Sequence, residues 1–216
     1  MMKVLGTACA VFLTLGLVTP SPVQAVRNTD TPAVSPAFAY SVETLPELSS
    51  TEHALGIPTA AISIYSPFDQ PFPSEWGQEA VQRSVPLVIA WEPWDWHLTP
   101  SDPLQRQYSL RSIANGAHDD YMRAWARSVS ALNVPVLIRF APEMNGDWTA
   151  WAGQRPDNSP EDFKNAWNHA QTIFRTENVH NARWIFNPSV VEGESIPMER
   201  YYPGSEQVDW LAYKRL

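Results

Sequence analysis

The sequence predicts an α/β fold built on a parallel sheet, and three observations predict it. Apolar, β-prone runs alternate with segments of helical spacing along most of the chain. The runs are near-continuous rather than alternating in polarity, as expected of strands covered by helices. Loops rich in polar and aromatic residues follow the third and fourth runs, and in barrels the chemistry sits on such strand ends. Two architectures fit: an open doubly wound sheet, or a (β/α)8 TIM barrel with about six of its eight βα units present.

Residues 1–25 read as a secretory signal. Lys3 supplies the positive start, residues 4–18 the apolar run, and Val23-Gln24-Ala25 the small-x-small cleavage pattern. The run is too short to be read as a membrane span, so a secreted product without membrane attachment is expected. Cys9, the only cysteine, falls in this run. The chain beyond the signal therefore has neither a disulfide framework nor a thiolate metal site. Residues 26–36, rich in Thr, Pro, Ser and Ala, read as a flexible lead-in. Residues 37–216 form the single domain, read as an incomplete barrel. Without the signal the chain has about 190 residues, ample for one core.

The elements follow in order. Residues 37–42 are the first strand. Residues 45–55 are a helix with Leu45, Leu48 and Leu55 on one side. Residues 59–65 are the second strand, 74–84 a weakly periodic helix, and 86–91 the third strand. Residues 119–132 are an amphipathic helix, with Tyr121, Trp125, Val129 and Leu132 on the 3.6 period. Residues 134–141 are the fourth strand. Ser159 followed by Pro160 starts a helix, since Ser accepts from free N–H groups and Pro suits the first position. Phe163, Ala166, Trp167, Ala170 and Phe174 form its apolar face. Residues 183–187 and 208–213 are the last strands. No Gly-rich turn follows the first strand, so a nucleotide-binding doubly wound sheet lacks support.

The formal charge is −8, with no run of Lys or Arg. Nucleic acid and acidic membranes are therefore not expected partners. The chain has 10 Trp, and indoles serve equally as core and as platforms for sugar rings. Composition alone leaves both open.

The strongest segment is 134–153, where an apolar strand runs into Glu143, then a small polar turn with Asn145, then Trp148 and Trp151. A proton donor to a glycosidic oxygen needs a carboxyl in such apolar, aromatic surroundings. Arg139 shares strand parity with Glu143 and should face the same way. A buried guanidinium there calls for a carboxylate partner. The plainer reading makes Glu143 a loop acid paired with Arg139. A second group, Trp91, Glu92, Trp94, Asp95, Trp96 and His97, crowds the end of the third strand. It reads as a sugar subsite or as a loop folded over its own aromatics. His118, Asp119 and Asp120 look metal-like but more simply start a helix. His169 and His180 read as ordinary residues. No Ser-His-Asp order or metal-ligand spacing stands out, so neither metal nor cofactor is expected.

The segment around Glu143-Met144-Asn145-Gly146 with Trp148 resembles glycoside hydrolase family 26. The likeness extends to Ile64-Tyr65 with Pro67-Phe68-Asp69, Trp91-Glu92-Pro93-Trp94, Ile113-Ala114-Asn115-Gly116, Trp184-Ile185-Phe186-Asn187-Pro188 and Tyr201-Tyr202-Pro203-Gly204. It covers most of residues 36–212 in the family's order. The resemblance implies a retaining (β/α)8-barrel glycosidase acting on β-mannan or another β-linked polysaccharide. Glu143 would be its general acid/base and Trp148 a cleft tryptophan. Trp91, Glu92, Trp94, Arg139, Asn145 and Trp151 are the further candidates for binding substrate. Two departures matter. Pro142 stands where many members carry His, which weakens the mannan expectation. The family's nucleophile follows the sixth strand, on a seventh, and the chain ends at Leu216. A truncated, inactive enzyme is expected, with Glu92 as the nearest substitute carboxylate. The alternative is a non-catalytic polysaccharide-binding protein.

Overall fold

The structure, a computed structural model, describes residues 39–190 and 196–212. The expected secretory signal and lead-in, and the tail from Tyr213 onward, lie outside the described residues.

Local sequence chemistry sets several of the element limits. α1 (Leu45–Leu55) opens at Thr44, whose side chain accepts from the Glu47 N–H, and stops at Gly56, whose φ of 66° is left-handed. α5 (Pro160–Thr176) opens with a reciprocal box in which Ser159 and Asp162 each accept from the other's backbone N–H. β1 (Ala39–Ser41) precedes α1, and between α1 and α5 run β2 (Ala61–Pro67), α2 (Ser74–Arg83), β3 (Leu87–Glu92), α3 (Leu110–Ala114), α4 (Asp119–Ser130) and β4 (Val136–Phe140). β5 (Ala182–Phe186) and β6 (Trp210–Leu211) follow α5.

All strands pair in parallel, in the order β1-β2-β3-β4-β5-β6. That order decides between the two architectures. A doubly wound sheet must reverse its strand order to place helices on both faces, and no reversal occurs. With crossovers of one hand, sequential strands put every helix on one face, leaving the other as the inside of a barrel. Packing agrees. The main core joins Ile62, Ile64, Leu87, Ile89, Trp91, Val136, Ile138 and Phe140 to the helices through Trp125, Phe163, Trp167 and Phe174. Strand residues of opposite parity, Val88, Leu137 and Ile185, form a separate small cluster with Ala61, Trp210 and Ala212. The fold is thus that of the (β/α)8-barrel family, with six strands described.

The last strand is short, reduced from residues 208–213 to Trp210–Leu211 among the described residues. One region escaped the sequence reading. A 3-10 turn (Pro103–Tyr108) and α3 precede α4. Both are too short for periodicity to show, and distant residues tie α3 down. The Leu110 N–H donates to Asn158 Oδ1 at 2.7 Å, and Arg111 pairs with Asp157 and Asp162. Among the described residues, no helix is long and apolar enough to cross a membrane.

Candidate active site

The site is built at the C-terminal ends of β3 and β4, which neighbour each other with Trp91 opposite Phe140. After Phe140 the chain leaves strand geometry at once. Ala141 and Glu143 take left-handed φ values of 45° and 57°, conformations that cost side-chain-bearing residues about 1–3 kcal/mol each and cluster at functional sites. Hydrogen bonds hold them there. The Ala141 N–H donates to the Trp91 carbonyl at 2.9 Å, and the Glu143 N–H donates to the Asn187 carbonyl at 2.7 Å. Glu143 is thereby pinned between the ends of β3 and β5.

The Glu143 carboxylate accepts from Trp148 Nε1 at 3.2 Å. Trp148 itself is 42% exposed, so its nitrogen is fixed while its ring meets solvent. Gly146 makes this possible, because a Cβ there would come within 2.6 Å of the Trp148 ring. Beside it, Glu92 Oε2 accepts from Trp94 Nε1 at 3.1 Å and from Trp96 Nε1 at 3.0 Å. Glu92 is 9% exposed. Burial pushes its carboxyl above the ordinary value; the two indole bonds and the Arg139 charge pull it down, and the Glu143 charge adds to the rise. The two carboxylates therefore sense each other across adjacent strand ends.

Arg139 lies on the barrel-interior side, as its parity requires. Its Nε donates to Asn187 Oδ1 at 2.7 Å, and its guanidinium carbon sits 5.9 Å from the centre of the Tyr65 ring. The expected carboxylate partner is thus replaced by an amide, with Glu92 acting only through space. Tyr65 and Asn187 had entered the sequence reading only as family look-alikes. Strand parity was the signal that could have found them, since each stands on the same face as Arg139.

Three expected substrate contacts are corrected. Trp91 is fully buried on the helix side, stacked on Trp125 at 4.5 Å with its Nε1 donating to Tyr121 Oη at 3.0 Å. Its odd parity relative to Glu92 turns it into the core. Asn145 is also buried and spends its amide on Ser189, donating to the carbonyl at 2.9 Å and accepting from the N–H at 2.7 Å. Trp151 is buried, donates to the Pro142 carbonyl at 2.8 Å and meets Trp94 edge-on at 5.9 Å. It supports the Glu143 turn from beneath. Glu92, Trp94, Trp148 and Arg139 remain at the strand ends, joined by Trp96, 47% exposed.

Asp69, Asp95 and His97 bring possible ligand atoms within 4.8 Å of one another, with His97 Nε2 4.0 Å from Asp69 Oδ2. Sequence spacing could not reveal this group, because Asp69 follows β2 and the others follow β3. A hollow of about 300 Å³ lined by Gln171, Arg175, Trp184, Gln207 and Asp209 lies at the opposite, N-terminal ends of β5 and β6.

Carboxyls at neighbouring parallel strand ends, each bonded to an indole, stand together on a barrel-type sheet. The family model of glycosyl hydrolase family 26 matches residues 109–214 of this chain. Endoglucanase H of Acetivibrio thermocellus is 31% identical over 129 residues, 58% of this chain and 13% of that protein. Among solved structures, GH26A from Muricauda sp. MAR_2010_75 has a TM-score of 0.61 at 17% identity, covering 77% of this chain and 62% of that one. The β-mannanase of a symbiotic protist of the termite Reticulitermes speratus, complexed with gluco-manno-oligosaccharide, has a TM-score of 0.59 at 18% identity, covering 79% and 59%. A double mutant of the Cellulomonas fimi endo-β-1,4-mannanase has a TM-score of 0.62 at 17% identity, covering 81% and 46%. At these identities the structural likeness establishes the fold. The chain spans less than two thirds of each of these relatives.

Proposed function

We propose that this chain carries the acid/base side of a cleft for a β-linked polysaccharide, β-mannan first, with Glu143 as the proton donor. The observation that carries the proposal is the Glu143–Trp148 pair. A carboxylate pinned on a left-handed turn bonds an indole whose ring faces solvent. Such a pair can protonate a glycosidic oxygen while the ring stacks on a neighbouring sugar. The relatives' names include both mannanases and an endoglucanase, so mixed-linkage glucan is the second substrate to try.

Retaining hydrolysis needs a second carboxylate about 5–5.5 Å from the acid, which attacks the anomeric carbon. Glu92 is poorly suited to that task, because two indole N–H groups already occupy its Oε2. We therefore read Glu92 as a binding group and the nucleophile as absent from these strand ends. On this reading the 216-residue chain turns over negligibly, and a chain joined to the seventh and eighth βα units of a family barrel is active. Reducing-sugar release from β-mannan and mixed-linkage glucan tests this for both proteins and for the joined Glu143→Gln variant. Strong turnover by the short chain would make Glu92 the second carboxylate.

The occupied Glu92 also favours a second reading, a glycan-binding protein without turnover. Binding to the joined protein with no hydrolysis would select it. The N-terminal apolar run carries the proposal of export. Recovery from culture medium of a chain beginning just after Ala25 is the expected result, and retention in the cell would oppose it.

A further inference from the structure

Trp94 and Trp96 follow β3 in a loop that has no glycine to lean on, yet both indole nitrogens converge on one oxygen. Glu92 Oε2 takes them at 3.1 and 3.0 Å. The loop is braced from the other side by Gln105, whose Oε1 accepts from the Asp95 N–H at 3.0 Å and whose Nε2 donates to the Asp95 carbonyl at 2.9 Å. Trp94 meets Trp151 edge-on, and Trp151 donates to the Pro142 carbonyl, next to Glu143. An unbroken run of contacts thus joins Glu92 to the acid/base turn. At its two ends stand exposed rings, Trp96 and Trp148, each with its nitrogen held by a strand-end carboxylate.

We propose that Glu92 is a positioning residue that fixes Trp96 as a second sugar platform, so that a β-glycan lies across Glu143 from the β3 loop to the β4 loop. An indole bonded through its nitrogen cannot swing freely, so less ordering remains when a sugar stacks on it. The chemistry recognised is the apolar face of a pyranose ring. Exposed rings on both the β3 and the β4 loops imply an oligosaccharide of several units rather than a monosaccharide. This inference rests on reading the cleft as a glycan site.

The test uses the 216-residue chain in two ways. Without sugar, the indole N–H resonances of Trp94 and Trp96, assigned through Trp→Phe variants, should move together in Glu92→Leu and stay in place in Glu92→Gln, which keeps an acceptor. Unmoved resonances in Glu92→Leu would overturn the positioning role. With sugar, manno- and mixed-linkage gluco-oligosaccharides are titrated by calorimetry. Glu92→Leu and Trp96→Ala should each bind about tenfold more weakly, as loss of a fixed stacking contact implies, and Glu92→Gln should lose less than Glu92→Leu. Trp96 is exposed, so its variant keeps the fold even if Glu92→Leu does not. If wild type binds and only Trp148→Ala fails, the second platform is refuted and the cleft stands. If wild type binds no oligosaccharide, the cleft reading fails and the platform fails with it.

Discussion

Glu92 and Glu143 occupy neighbouring strand ends and both bond to tryptophan, but the backbone beneath them differs. Glu92 is the last residue of β3, in register with Pro67 of β2, and it is buried. β2 pairs with it on one side, and burial makes it hold its proton more tightly. Glu143 lies three residues beyond β4 on a left-handed turn, half-buried, with one indole bond instead of two. A carboxyl that must reach a ligand has to leave the strand, and here it does so at the cost of two strained residues. A carboxyl that organises a loop can stay in the strand.

The sharpest way to break this comparison is turnover in the barrel-completed protein. Glu143→Gln should lower hydrolysis of unactivated β-glycan by about 10²–10⁴-fold, the usual worth of general acid catalysis. Glu92→Gln should lower it by less than about tenfold, since it keeps the acceptor for both indoles. Equal losses would mean that the two carboxyls share one role.

Stability separates the aromatics of the β3 end by parity. Trp91→Ala removes a fully buried ring and should cost about 3–5 kcal/mol in urea unfolding. Trp96→Ala loses a half-exposed ring and one of the two indole bonds to Glu92, and should cost less, about 1–2 kcal/mol. Next in size is Asn145→Ala at the β4 end. It leaves the Ser189 N–H and carbonyl without their amide partner, which should cost about 1–3 kcal/mol. A binding role instead of a structural one would show as unchanged unfolding.

The smallest effect is on pH dependence. A glutamate whose folded pKa lies above its unfolded value keeps its proton longer in the folded state. Its contribution is full below the ordinary value of 4.5 and is lost as pH rises toward the raised folded value. Wild type should therefore lose thermal stability relative to Glu92→Gln as pH rises from 4.5 through that window. A parallel pair of curves would show that Glu92 titrates normally.

The sequence by itself determined the alternation of strand and helix, because apolar runs and 3.6-residue spacing are local properties. It also placed α1 and the start of α5 to the residue, since Thr44, Gly56, Ser159 and Asp162 act on their own neighbours. Glu143 was legible for the same reason: a strand runs straight into it. The family motifs added its expected role. What the sequence could not decide was direction and partnership. Trp91 and Trp94 read alike in one crowded stretch, and only the sheet register sent one into the core and left the other at the strand ends. Asn145 looked like a ligand contact until the turn after β4 met Ser189, 44 residues away. Arg139 found an amide rather than a carboxylate because β5 brings Asn187 alongside it. Each of these outcomes depends on residues far apart in the chain, and their contacts exist only once the strands have paired in order.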